Sequence, residues 1–501
     1  METTEYKDRL EKIKMLRQTG INPYPDKFDR THTAVEAVAF GEKDVREVEE
    51  IIKKPDAKVK LCGRLMAFRS HGKLSFGKIQ DASGRIQICL MRDILGDEKC
   101  KFFEKKIDVA DFIGVTGELF RTKHGEITLL VTDYILLSKT LRPLPEKFHG
   151  LQDQEAKYRQ RYLDLAMNPE TKKIFEFRSD FIRYLREFYW NNGFLEIECP
   201  VMATSASGAL AKPFKTHHNA LDADFFLRIA IETYQKVAIG GGFEKVFEIG
   251  KCFRNEGMDP SHLQEFTMNE FYCAYWNYQD LMKFTEEMFE FLLKKTLGTL
   301  EVDIKDREGN TQTVNFKRPW KTISIRDVIL EDSGIDINKF KTEKELLKAI
   351  KDKKINIEDA AKLSRGNLID HLYKKVSRPK MIGPVFLIEH PTDLSPLARR
   401  NDKNSDIVDR FQLVVNGWEI VNAYSELIDP LEQSKAFSEQ SEAQKKGDEE
   451  AHGKDDEFVL AMEHGFPPIA GWGMGIDRIV ALLTRQDNLK DVVLFPLMKQ
   501  T

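Results

Sequence analysis

Residues 246–276, VFEIGKCFRNEGMDPSHLQEFTMNEFYCAYW, decide the reading of this 501-residue chain. The segment reads as strand, loop, strand. On the first strand Glu248, Gly250, Cys252, Arg254 and Glu256 share one face by the two-residue period. On the second, Phe266, Met268, Glu270 and Tyr272 share one face. The loop between them, GMDPSHLQE, holds the breakers Gly, Asp-Pro and Ser. An antiparallel pair of this kind sets an arginine, an aromatic ring and two carboxylates on one surface. A solvated sheet face accounts for such a surface, and so does a seat for a phosphate ester carrying an adenine.

Transfer chemistry at a phosphate needs cations aimed at developing negative charge. Arg254 suits an α-phosphate because its guanidinium is a planar fork. His262 in the loop reaches for a terminal phosphate, Phe266 offers a stacking face, and Glu256 an acceptor for a base amine or ribose. The run FRNEG, followed by His and then Glu-Phe, resembles motif 2 of the class II aminoacyl-tRNA synthetases. The resemblance implies that Arg254 sits on the reacting α-phosphate of ATP and that Glu256, His262 and Phe266 hold the rest. The family usually shows HNPEF here, whereas this chain has HLQEF.

Near the C-terminus, AGWGMGIDRIVALLT alternates Gly471, Gly473 and Gly475 on a strand, leaving one strand face without side chains. Something must approach that backbone closely, be it a packed helix or a ligand. Followed by Asp477-Arg478 and an apolar helix, the run resembles motif 3, in which Arg478 binds the γ-phosphate. Upstream, DRFQLVVNGWEIVNAYSELIDP puts Asn422, Tyr424 and Glu426 on one face. Glu419 has the opposite parity, so a bulge or a strand end must re-aim it if it joins the same site. The resemblance implies an acidic pair holding Mg²⁺ on ATP; Glu419 matches one position, and the other falls on Gln412, whose amide ligates without adding charge.

Glu232, Glu270 and Glu426 fall around the amino-acid pocket of that family, with Gly208, Arg254, Tyr272, Asn422 and Tyr424. A carboxylate cluster wants a cation, and lysine offers two ammonium groups. An aspartate-activating relative has Arg where this chain has Glu426, a sign exchange that disfavours aspartate strongly. The resemblance is therefore to the class II lysyl-tRNA synthetases, and the run LRPLPEKFHGLQDQEAKYRQRYLDL at 141–165 is similar to them as well.

Outside this region the chain changes character. Residues 5–18 and 35–52 read as helices of an N-terminal extension, 1–57. Between 58 and 141, VKLCGRLMAF, KLSFGKIQD, GRIQICL, DFIGVTGELF and GEITLLV are β-rich runs between Gly-containing turns, which suits a small OB-type barrel. Such a barrel binds oligonucleotides or merely spaces domains. Phe76 and Gln87 lie across one turn; a core ring and a surface amide explain them, as do base stacking and edge reading. The resemblance assigns them, with Arg69 and Glu126, to the anticodon, whose uracils suit an amide that both donates and accepts. A linker is expected at 142–167 and a second domain at 168–501. There, 171–192 reads as a long amphipathic helix and FLEIECPVM as a strand after it, the dimer-forming motif 1 in the resemblance. Residues 331–381 read as a Lys-rich helical insertion and 438–456 as a charged loop.

Hydrophobic residues make up 41% and charged residues 32%, with a net charge of −4. That balance describes a globular protein and neither supports nor excludes an RNA partner. The six cysteines form no CxxC pair, so neither zinc nor disulfides are expected. No apolar leader or membrane span is read, and the cytoplasm is the expected location. The expected fold is α+β: an antiparallel sheet flanked by helices, behind an OB-fold barrel. The resemblance implies ATP-dependent activation of L-lysine, Mg²⁺ as cofactor, transfer to tRNA(Lys) and a homodimer. A protein-modifying paralogue and a non-catalytic RNA-binding relative are the rivals; the barrel argues against the first, the retained arginines against the second.

Overall fold

The computed structural model describes the whole chain except residues 1–2, 44, 47, 55, 57, 146–152, 206–207, 209–210, 307–308, 396–397, 446–454 and 500–501. Much of the 141–152 run and the middle of the 438–456 segment therefore lie outside the described residues. The chain divides into two compact units, Met1–Gln152 and Asp153–Thr501.

The first unit opens with three helices, α1 (Thr4–Gln18), α2 (Ala34–Lys43) and α3 (Val48–Lys53). The single helix expected over 35–52 is thus two. Five strands follow: β1 (Val59–His71), β2 (Leu74–Gln80), β3 (Arg85–Met91), β4 (Phe112–Arg121) and β5 (Ile127–Ser138). Helices α4 (Arg92–Leu95) and α5 (Asp97–Lys106) fill the β3–β4 connection. The strands close into a barrel in the order β1-β2-β3-β5-β4. Alternation sends Leu65, Ile79, Ile88, Val115 and Leu129 inward, and Leu16, Ala34 and Ala37 of the helices join the same core. Lys139 is fully buried against Asp108 and Asp111, and Lys12 of α1 pairs with Asp108 at 2.6 Å, so a compensated ion network fastens the extension to the barrel.

In the second unit α6 (Gln154–Arg159) and α7 (Arg161–Met167) lead into α8 (Pro169–Asn191). Proline at the first turn starts α8, and its apolar stripe of Phe181, Leu185, Phe188 and Tyr189 is buried. The expected strand FLEIECPVM is only two short pieces, β6 (Leu195–Glu196) and β7 (Met202–Ala203). Pro200 cannot donate to a ladder, and the chain leaves the sheet there to pair β7 with β9 (Ala223–Leu227), beside β8 (Lys215–His218). Then come α9 (Glu232–Gly240), β10 (Lys245–Phe253), β11 (Glu265–Ala274) and α10 (Tyr278–Thr296). A hairpin of β12 (Glu301–Lys305) and β13 (Thr311–Asn315) precedes β14 (Lys321–Ser324).

The Lys-rich segment is helical: α11 (Ile325–Ser333), α12 (Glu343–Asp352) and α13 (Arg365–Val376) form a small core of their own with Ile329, Leu346, Ile350 and Leu368. It is bounded by β14 and β15 (Val385–Ile388), after which β16 (Arg410–Val415) and β17 (Trp418–Ser425) continue the sheet. Residues 430–445, half expected as loop, form α14 (Pro430–Lys445), since Glu, Gln, Lys and Ala favour helix without an apolar stripe. The chain ends with α15 (Asp456–Glu463), β18 (Ile469–Gly475) and α16 (Ile476–Leu483). The main sheet has eight strands in the order β14-β15-β16-β17-β18-β11-β10-β6, antiparallel except at its two ends, where β14–β15 and β10–β6 are parallel. One face, carrying Phe247, Phe271, Trp472, Ala423 and Phe411, packs on α8, α10 and α16 in the main core.

Candidate active site

The other face of the sheet is polar. Register aligns Gln412, Asn422, Gly473, Glu270 and Glu248 in one row across β16, β17, β18, β11 and β10. The next row holds Arg410, Tyr424, Gly471, Tyr272 and Val246. Glycine in the central strand lets its neighbours fold over it: a Cβ on Gly471 would lie 2.1 Å from Glu426 Oε1 and 2.4 Å from Tyr272 Cε1. Between β16 and β17 the register slips, Leu413 pairing with Val421 but Val414 with Glu419. Ile420 is the extra residue, and this bulge brings Glu419 to the cavity that Asn422 also lines.

That cavity measures about 260 Å³ and is lined by Arg254, His262, Phe266, Glu419, Asn422 and Arg478, with Glu256 also on its wall. Arg254 follows directly on β10, and its guanidinium carbon lies 5.1 Å from the centre of the Phe266 ring. Arg478, on the first turn of α16, donates to the Glu419 carbonyl at 3.3 Å. Burial lowers its pKa, with Glu419 opposing that shift and Arg254 adding to it. Beside it, Asp477 accepts the Thr267 N–H at 2.8 Å and pairs with Arg178 of α8 at 2.7 Å, fixing the helix start to β11. In the loop, His262 Nδ1 lies 2.7 Å from Asp259. Partial burial pushes the Asp259 carboxyl up, but hydrogen bonds from Ser261 and His262 outweigh it and leave the pKa at about 2.

Gly473 joins this cavity to a buried recess, since its Cβ position is 3.6 Å from Glu270 Cγ and 3.8 Å from the Asn422 carbonyl. Glu232, Glu270 and Glu426 are all buried there. Tyr424 donates to Glu232 Oε2 at 3.1 Å, and Tyr272 to Glu270 Oε2 at 3.5 Å. Asn422 Oδ1 accepts from Arg410 at 2.8 Å. Gly208 sits against Glu232, with a positive φ of 91° and 3.3 Å between its Cβ position and Glu232 Cβ. Lys236, one turn along α9 from Glu232, puts its ammonium against both Glu232 and Glu426. Burial, then the Glu232 carboxylate, pushes Glu270 up to about 7 against the Ile231 N–H and Arg254. Burial also raises Glu426, with the Lys236 ammonium opposing.

A second arrangement lies on the outside of the barrel. Arg69, Phe76 and Cys89 are aligned across β1, β2 and β3, as are Lys78, Gln87 and Thr128 across β2, β3 and β5. Phe76 is half-buried against Cys89, Phe120 and Leu130. Gln87 donates to Thr128 Oγ1 at 2.9 Å, and Glu126 pairs with Lys78 at 3.0 Å.

Comparison with known proteins decides the family. Residues 153–499 match the family described as tRNA synthetases class II (D, K and N), and residues 59–137 match an OB-fold nucleic acid binding domain. The chain belongs to the class II tRNA synthetases. It is 46% identical over 493 residues to the lysine–tRNA ligase of Carboxydothermus hydrogenoformans, covering 98% of this chain and 97% of that one. It is 48% identical over 441 residues to that of Aquifex aeolicus, covering 88% and 73%, and 43% identical over 492 residues to that of Thermosipho africanus, covering 98% and 95%.

In this class II synthetase the structure gathers Arg254, Glu256, His262, Phe266, Glu419, Asn422 and Arg478 around one cavity. Glu232, Glu270, Tyr272, Tyr424 and Glu426 meet in the adjoining recess, and Gln412 touches Glu419, its amide donating at 2.9 Å. Among the described residues no group of three or more His, Cys, Asp or Glu is arranged to hold a metal, and no helix is long and apolar enough to cross a membrane. Sequence reasoning missed three participants. Lys236 stands four residues after Glu232, a spacing that reads as a solvated helix pair. Arg410 and Arg178 drew no reading from the sequence; strand register puts Arg410 on Asn422, and helix packing puts Arg178 on Asp477.

Proposed function

We infer that this synthetase activates L-lysine with ATP and transfers it to tRNA(Lys). The observation that carries the reading is the recess: three buried carboxylates and two tyrosines beside a cavity holding two arginines. Anionic walls next to a cationic cradle suit an amino acid with a charged amine beside a triphosphate. In the first step the lysine carboxylate attacks the α-phosphorus in line, forming lysyl-adenylate and releasing pyrophosphate. No protein nucleophile is required. Arg254 steadies the α-phosphate and the lysine carboxylate, and Arg478 the γ-phosphate, while Phe266 stacks on adenine and Glu256 accepts from it. His262, oriented by Asp259, meets the departing phosphates.

Glu232 and Glu426, with Tyr272 and Tyr424, take the side-chain ammonium; Glu270, Gly208 and Asn422 orient the amino-acid end. Glu419 would hold Mg²⁺, with the Gln412 amide N–H steadying its carboxylate. One carboxylate on the wall of the nucleotide cavity fits that ion, because magnesium keeps several waters and takes its other ligands from substrate phosphates. When bound, that ion supplies charge neutralisation at the phosphates.

In the second step lysine passes to a ribose hydroxyl at the tRNA 3′ end. On the barrel, Arg69, Phe76, Gln87 and Glu126 read the anticodon by stacking and edge contacts. A cytoplasmic homodimer joined through α8 and the strand pieces after it completes the reading. Apolar side chains there support it, with Trp190 56%, Leu195 48% and Met202 52% exposed. The test is charging of tRNA(Lys) with labelled lysine in ATP and Mg²⁺. The expected product is alkali-labile lysyl-tRNA. Lysine-dependent pyrophosphate exchange without any tRNA charging would instead mean a different acceptor.

A further inference from the structure

Lys236 puts a lysine ammonium inside the recess proposed to receive a lysine. Its side chain is 4% exposed. The nitrogen lies 5.9 Å from the ring centres of Tyr272, Tyr424 and Phe458 and touches Glu232 Oε1 and Glu426 Oε2. The neighbouring Gln235 is held by the Glu270 carbonyl at 3.4 Å, so the turn that carries Lys236 is anchored from β11. Every contact of this cation is therefore with the walls of the recess. Two acceptors are left over: Gln235 Oε1 and Glu426 Oε1 are buried without a hydrogen-bond partner, and the carboxylate oxygen points across the bare backbone of Gly471. An unpartnered carboxylate oxygen at that depth is costly unless a donor arrives.

Resting on the lysine-activating reading, we propose that Lys236 is a specificity-determining residue: a resident counter-ion that sets the charge of the recess to match one lysine. With all three ionised, the form an arriving ammonium favours, Glu232, Glu270 and Glu426 face the two cations Lys236 and Arg254 and leave one negative charge unbalanced. A free lysine at neutral pH carries one net positive charge. Of the other charges nearby, Arg410 of β16 donates to Asn422 Oδ1 at 2.8 Å and has the Glu419 carboxylate of the nucleotide cavity as its main opposite charge. Glu248 is paired with Arg228 at 2.7 Å, Lys245 of β10 and Glu244 just before it are outside the recess, and β18 carries no charge. On α15, which brings Phe458, Asp456 and Glu457 are exposed, and Asp455 accepts from Ser205 Oγ at 3.0 Å. Lys236 stays in place when substrate enters, and the arriving ammonium takes Glu426 Oε1.

Without Lys236 a proton must replace its charge, and lysine then binds against that proton. The experiment compares the unaltered enzyme with Lys236→Met and Lys236→Gln by lysine-dependent pyrophosphate exchange across pH 6 to 9, with cadaverine as competitor. Cadaverine is the dicationic lysine skeleton without a carboxylate. Expected in both variants are a lysine KM raised by about tenfold at pH 7 and an acidic limb of kcat/KM moved up by about one pH unit, the equivalent of one tenfold charge interaction. The ATP KM should hold, and cadaverine should gain on lysine by about tenfold. Unchanged lysine KM, pH profile and cadaverine ratio would overturn the proposal. An ATP KM that rises in step with that of lysine in both variants would overturn it too, by making Lys236 a packing residue. Should the unaltered enzyme show no exchange with lysine, the lysine-activating reading itself fails, which is a separate result.

Discussion

At Glu270 burial and the neighbouring Glu232 hold a proton to about pH 7, well above the usual carboxylate range. The folded protein therefore keeps a proton that the unfolded chain gives up, and ionising the recess costs stability as the pH rises between the two values. Bound lysine favours the ionised form. Its kcat/KM in pyrophosphate exchange should therefore climb with pH, pass half its plateau near 7 and level off above it. In Glu270→Gln the limb should flatten and the plateau fall by at least about tenfold, as when a charged hydrogen bond is lost. A variant that keeps the limb would place the titration elsewhere. Individual residues were legible where their chemistry was unusual for a core: Arg254, Phe266 and Glu270 announce themselves by falling on one face of an antiparallel pair. Lys236 did not, because an i,i+4 Glu–Lys pair looks the same in sequence whether water or a recess surrounds it.

Among the elements, β18 shows how sequence and site connect. Alternate glycines clear one face so that Glu426 and Tyr272 can lie over the backbone. Gly471→Ala puts a methyl 2.1 Å from Glu426 Oε1, and backbone on one side with a buried ring on the other leaves little room to yield. Lysine KM should rise by about a hundredfold or more, from a displacement costing about 2–3 kcal/mol by the usual overpacking range. Steady-state exchange kinetics will show it, with ATP KM nearly unchanged because Gly471 does not line the nucleotide cavity. A variant with normal lysine KM would mean that the carboxylate does not need that space. Parity called for a bulge or a strand end near Glu419, since Glu419 and Asn422 belong to opposite faces of a regular strand; the register shows the bulge, at Ile420. The strand expected at 194–202 was not, because Pro200 ends the ladder and hands the chain to a second sheet. Nor was α14, which lacks the apolar stripe that betrays most helices.

For the molecule as a whole, the proposed function gives the two compact units separable tasks. The barrel was legible from five β-rich runs between Gly turns, and the catalytic sheet from three motif resemblances arriving in order along the chain. What the pattern left open was which polar groups each face keeps free, since that depends on register between distant strands. Phe76→Ala on the barrel should weaken tRNA charging at limiting tRNA by about tenfold to a hundredfold, the usual worth of one aromatic–base stack. Lysine-dependent pyrophosphate exchange, which needs no tRNA, should stay unchanged. Equal losses in both assays would mean that the ring serves folding.

Pyrophosphate exchange with each of the twenty amino acids, ATP and magnesium in turn tests the central claim most directly. Because three carboxylates line the recess and an oxygen of Glu426 awaits a donor, lysine alone should drive rapid exchange. Exchange driven by aspartate or asparagine, or none with lysine, would contradict the account.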